Sequence, residues 1–157
     1  MSWELNPGAS LADLATIELR RITDVLQVDH ASLFLSDAEF PERAHAVAET
    51  GLSADEALPE YSTLLTRAIR TVRAAKVERS DGPGACAALA APLVHDERVL
   101  GALLVVTRRA NRRLGAIDTE VVREATQTLV ERFLAPADGG EPRFVSERAA
   151  RPVRPGR

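Results

Sequence analysis

The side chains able to do chemistry are few and scattered. One cysteine, Cys86, and three histidines, His30, His45 and His95, are the only thiol and imidazoles in the chain. A single thiol excludes an internal disulfide and a cysteine-rich zinc site. It also lacks the second thiol that resolves an oxidised cysteine. Cys86 opens the run CAALAA, a setting that predicts an inert core residue. The histidines show no metal-ligand spacing, so they read as surface or structural groups, and no metal is expected. Ser80-Asp81-Gly82-Pro83-Gly84 has the glycines of an anion cradle, but Asp81 opposes an anion and a plain connector is the better reading. Arg108, Arg109, Arg112 and Arg113 form a basic stretch that suits phosphate or an acidic partner, and that reads first as a solvated loop. No acid, base and nucleophile recur at a telling spacing, so no catalytic residues are assigned.

The bulk composition narrows the classes further. The 157 residues suit one domain with room for a real core. A net charge of −3 argues against a nucleic-acid binder, which needs a basic excess. The first residues, MSWELNPGAS, lack the basic and apolar regions of a secretory signal. No stretch reaches the roughly 18 apolar residues of a membrane span. A cytoplasmic protein without a membrane partner is expected.

The elements follow from periodicity. Ser10 is a suitable N-cap for a helix to about Gln27, with Leu11, Leu14, Ala15, Leu19, Ile22, Val25 and Leu26 on its apolar side. Ile17 and Glu18 break that pattern, the first apolar on the polar side, the second charged within the stripe. Either Glu18 snorkels at the core edge, or the helix has a second buried face. Residues 31–36 alternate as a strand with one better-buried face, Leu33 and Leu35 against Ser32, Phe34 and Ser36. A turn containing Pro41 and a weaker strand over 43–50, closed by Gly51, complete a hairpin. Pro59 precedes a helix over about 60–73 with Tyr61, Leu65, Ala68 and Val72 on its apolar side. Residues 76–79 suit a short edge strand. The run 86–94 reads as a strand buried on both faces, with Pro92 where no ladder N–H is needed. A polar turn at 95–97 leads to the strongest strand, 98–107. A last helix runs from about Asp118 to Leu134. Residues 1–9 form an N-terminal arm, 10–135 the domain, and 136–157 a Pro/Gly/Arg tail expected to be disordered. Strands in runs, without βαβ alternation, predict an α+β fold. It has a central antiparallel sheet of five to six strands, with the terminal helices on one face and the middle helix plus loops on the other.

On these residues the chain resembles a GAF domain, a small-molecule sensor fold related to PAS, over about 10–134. The resemblance rests on Asp29-His30-Ala31-Ser32-Leu33-Phe34-Leu35 after the first helix and on Val47-Ala48-Glu49-Thr50-Gly51. It rests also on Ala91-Pro92-Leu93-Val94 with Val99-Leu100-Gly101-Ala102-Leu103, and on Leu114 followed by Asp118. It implies a ligand pocket between the sheet and the middle helix, at Tyr61, Leu65, Ser80, Asp81 and Cys86. The cyclic-nucleotide signature of some members is met only in part by Asn111-Arg112, Leu114 and Asp118-Thr119; Arg112 and Asp118 read instead as a structural ion pair. Bilin attachment in the family uses a Cys beside His, whereas Ala87 follows Cys86. The family's methionine sulfoxide reductases use several cysteines. No cofactor is required by the sequence.

The expected function is therefore a regulatory or sensor module without its own catalysis, binding an unidentified small molecule, a partner signalling protein, or both. A homodimer through the terminal helices is expected, with Ile17, Glu18 and Arg21 at the contact. The alternatives are a ligand-free homodimeric scaffold and, less favoured, an enzyme of unrecognised type.

Overall fold

The computed structural model describes residues 11–37, 43–79, 86–109 and 113–134. Helix α1 (Leu11–Leu26) buries Leu11, Ala15, Leu19, Ile22 and Leu26, a stripe at 3.6-residue spacing. It stops where Gln27 turns left-handed at φ 57. Its expected N-cap, Ser10, lies outside the described residues. Leu14 and Val25 were expected on the apolar side, yet Leu14 is half-buried and Val25 is 54% exposed. They sit on the shoulder of the stripe, beyond the reach of the sheet.

Strands β1 (His30–Ser36) and β2 (Ala44–Gly51) form the first hairpin, and β4 (Cys86–His95) and β5 (Arg98–Thr107) the second; β3 (Ala75–Arg79) follows the middle helix. The order across the sheet is β2-β1-β5-β4-β3, and every pairing is antiparallel. The expected α+β architecture is thus present, with five strands. β3 is an edge strand, as its polar sequence predicts.

Side chains alternate between two cores. Ala31, Leu33 and Leu35 of β1, Leu89 and Leu93 of β4, and Leu103 and Val105 of β5 pack with α1 and with helix α4 (Ala116–Leu129). Phe34, Ala88, Ala90, Ala102, Leu104 and Val106 face helices α2 (Ala54–Ala57) and α3 (Tyr61–Thr71). The terminal helices share one face and the middle helix takes the other. Each fully buried Leu contributes about 1.5–3 kcal/mol through burial alone.

Four local expectations need correction. β1 is buried along its whole length and has no exposed face. It lies between β2 and β5 with helices over both sides, so its polar residues are enclosed too. Helix α2 was not expected. Its signal was the capping box at Ser53-x-x-Glu56, where Glu56 N–H donates to Ser53 Oγ and Ser53 N–H to the Glu56 carboxylate, both at 3.2 Å. Val72 is not on the apolar side of α3. It caps the helix in the left-handed region at φ 55 and is 48% exposed. The last helix starts at Ala116, before Asp118, because the Asp118 carboxylate reaches back to accept from Gly115 N–H at 2.8 Å. It ends in one π-helical turn, Val130–Leu134.

Gly101 sits opposite Leu35 on β1 and Leu93 on β4. A Cβ there would collide with the Phe34 carbonyl oxygen. The absence of a side chain lets β5 approach β1 at the centre of the sheet.

Candidate functional site

The α2/α3 face of the sheet carries a partly buried polar link that begins where α1 passes into β1. The Asp29 carboxylate accepts from Arg108 N–H at 2.6 Å, fastening the start of β1 to the end of β5. The Arg108 guanidinium donates to the carbonyls of Glu56 and Ala57 at 3.1 and 3.2 Å, covering the C-terminal end of α2. At least this member of the basic stretch has an internal task. His30 is fully buried beside Asp29. Its Nδ1 lies 2.5 Å from the Leu52 carbonyl and its Nε2 2.7 Å from Ser32 Oγ. A carbonyl only accepts, so Nδ1 carries the proton and Nε2 accepts from the serine hydroxyl. Burial pushes the His30 pKa down, while the Leu52 carbonyl and Glu49 pull it up.

A serine hydroxyl on an oriented imidazole has the form of an activated nucleophile. Ser32 and His30 are both fully buried, so no substrate reaches them. The pair instead ties the chain after β2 to β1 and satisfies two enclosed polar groups. The sequence contained its signal, His-x-Ser at strand spacing, which places both side chains on one face.

The residues expected to line a ligand pocket divide into three kinds. Leu65 and Cys86 are buried in the core beneath α3. Tyr61 is half-buried and stacks on Phe34, ring centroids 5.6 Å apart. Ser80 and Asp81 lie outside the described residues. By strand alternation Ser36 shares this face; its hydroxyl is buried and unpartnered. A cavity of about 310 Å³ lies elsewhere, at the β3–β4 edge of the sheet above α4. Among the described residues no three His, Cys, Asp or Glu side chains gather as a metal site. No described helix is long and apolar enough to cross a membrane.

The outer surface of the terminal helices is the second site. Ile17 is 64% exposed. Glu18, one residue on, is largely covered and accepts from the Arg21 guanidinium at 2.6 and 3.1 Å. That hydrogen bond, and the charges of Glu18 and Glu124, raise the Arg21 pKa. Glu124 belongs to α4, so Arg21 marks the shoulder of α1 that looks toward that helix. On α4, Ile117 is 81% exposed. Ile117, Val121, Glu124 and Thr128 follow one another at four- and three-residue steps, the spacing of a helix-pairing seam. Asp118 lies on the first turn of α4, and its expected partner Arg112 lies outside the described residues. Sequence reasoning missed Ile117 because it stands just ahead of the residue taken as the helix start.

Comparison with known proteins places this geometry. The GAF domain family model matches residues 10–133. The GAF domain of an Acinetobacter phosphoenolpyruvate-protein phosphotransferase superposes with a TM-score of 0.61 at 18% identity, covering 77% of this chain and 80% of that one. The GAF-B domain of DevS from Mycobacterium smegmatis gives 0.58 at 20% identity, covering 77% and 91%. A type II free methionine-R-sulfoxide reductase from Thermoplasma acidophilum gives 0.57 at 8% identity, covering 78% and 94%. None of the curated proteins matches the sequence.

Proposed function

The chain belongs to the GAF domain family, and from that premise we propose that it is a regulatory module acting as a homodimer through α1 and α4. The observation that carries the proposal is the apolar surface these helices leave uncovered. Ile17 and Val25 on α1 and Ile117 on α4 are 64%, 54% and 81% exposed. Side chains of this size each gain about 1.5–3 kcal/mol when buried. A second copy of the same face supplies that burial, with Arg21, Glu18 and Glu124 as the polar rim that sets register. A signal then acts by favouring one arrangement of the helix pair, which a partner signalling protein reads.

A non-catalytic role is supported by the placing of Cys86. The chain's one thiol is enclosed in the core, away from any oxidant, and has no second thiol to resolve it. A ligand-free scaffold is the second reading. It is favoured by the burial of Leu65 and Cys86 in the core on the α2/α3 face and by the stacking of Tyr61 on Phe34 there.

Light scattering at micromolar concentration is expected to give the mass of a dimer. The double variant Ile17→Glu with Ile117→Glu is expected to give a monomer with an unchanged circular dichroism spectrum, since both side chains are exposed in the single chain. A monomeric wild-type protein overturns the proposal.

A further inference from the structure

The register of β3 on β4 begins at Ala75 opposite Ala90. Continued, it would set Ala74 against Ala91 and Arg73 against Pro92. The ladder instead stops at Ala75, since Pro92 has no N–H to offer. The chain leaving α3 splays away from β4, and the gap is the cavity of about 310 Å³, floored by α4. Val72 and Ala74 form one wall, Pro92 and Val94 the other. Val72 and Val94 are 48% and 39% exposed.

Val72 is the unusual residue. At φ 55 it holds a left-handed conformation that a β-branched side chain adopts only at a cost and that glycine adopts freely. Residues held in such conformations cluster at ligand clamps and switch regions. Here the conformation sets an isopropyl group on the wall of an open cavity. The charges are equally specific. Arg73 lines the cavity, and no acidic side chain is among the residues that line it. Arg123 lines it from α4, with its guanidinium on the Glu120 carboxylate at 2.5 and 3.2 Å. The site therefore offers one uncompensated positive charge and a second already shared. That balance suits a single negative charge better than a phosphate dianion. The volume lies at the lower end of small-molecule sites, roughly 300–1,000 Å³, which is too small for an extended protein segment.

We propose that this cavity binds a small organic monocarboxylate, its carboxylate on Arg73 and Arg123 and its apolar body between Val72 and Val94. The site is distinct from the α1/α4 face, and binding there does not depend on dimer formation. Only its effect on signalling rests on the regulatory reading, through α4, which belongs to both surfaces.

The test is titration of the full chain with phenylacetate, followed by amide NMR. Shifts are expected at Arg73, Ala74, Ala91, Val94, Thr126 and Gln127, saturating at millimolar concentration or below. Arg73→Gln is expected to weaken binding roughly tenfold or more, the loss of a charged hydrogen bond. The neutral analogue phenylacetamide is expected to bind no better than that variant. Val72→Gly is expected to raise Tm, by relieving the left-handed valine, while weakening binding; a residue with only a structural role would not show the second effect. Absence of shifts at these amides up to about 10 mM phenylacetate, a limit weaker than about −3 kcal/mol, overturns the proposal. So does tighter binding of phenyl phosphate than of phenylacetate, or saturation by an acidic peptide alone. Light scattering of the same samples reports separately on the dimer.

Discussion

His30 is held neutral by its surroundings, and this has a consequence for stability. Burial lowers its pKa below the ordinary 6.5, against the smaller upward pull of the Leu52 carbonyl and Glu49. A base with a lowered folded pKa takes up its proton more readily when unfolded. Its contribution is therefore complete above about pH 6.5 and is lost as pH falls toward the folded value. Tm is expected to drop as pH is lowered from about 7 to about 5, and the slope is expected to flatten in His30→Gln; an unchanged slope would assign the acid sensitivity to other groups. Ser32→Ala leaves His30 Nε2 without a donor in the core. A loss of about 1–3 kcal/mol is expected by denaturant unfolding. Asp29, by contrast, works through its backbone-facing carboxylate on Arg108 N–H, a contact between residues 79 positions apart that no local pattern announces.

At the scale of elements, the second hairpin carries two opposite devices. Gly101 gives up its side chain so that β5 can press on β1. Gly101→Ala forces a methyl group against the Phe34 carbonyl, and overpacking of this sort costs typically about 1–3 kcal/mol. Chemical denaturation should show that loss with little change in m-value. The turn between β4 and β5 goes the other way. Asp96 and Glu97 both stand at positive φ, 51 and 65, in a two-residue loop whose backbone favours Asn-Gly. Glu97→Gly is expected to stabilise the protein by about 1 kcal/mol, the relief of one left-handed non-glycine residue. A lower Tm in that variant would show that the glutamate side chain contributes more than its strain costs. Helix α1 sets Leu19 and Ile22 fully buried and Ile17 uncovered within two turns.

For the whole molecule, a five-stranded sheet with a core on each face leaves Ile17, Val25 and Ile117 exposed on the outside of α1 and α4 among the described residues. If a second copy covers it, folding and association are linked. The Tm of the wild-type chain is then expected to rise with protein concentration, while that of Ile17→Glu with Ile117→Glu is expected to stay constant. Equal concentration dependence in both would place the contact elsewhere. The cavity beside Val72 shares α4 with this surface, so a ligand in the one and a partner copy on the other would bear on the same helix from two sides.

The short apolar runs of 86–94 and 98–107, bounded by turn residues, point to strands by length and flanks, and the helical stripes of 11–26 and 121–129 point to helices by their period. From these residues the two hairpins, the helices at either end and the family resemblance were legible. So was the misfit of Ile17 and Glu18, since a helix buried on one side has no local reason for either. The tertiary structure alone decided what depends on distant neighbours. It enclosed β1 by setting β2 and β5 on its edges and helices over its faces, turned His30 from a strand-start residue into a buried hydrogen-bonded link, and buried Leu65 and Cys86 in the core. It also opened a cavity where β3 leaves β4. That cavity joins residues 72–74, 91–94 and 119–130, which are far apart in the chain, and only the packing of an edge strand over α4 brings them together.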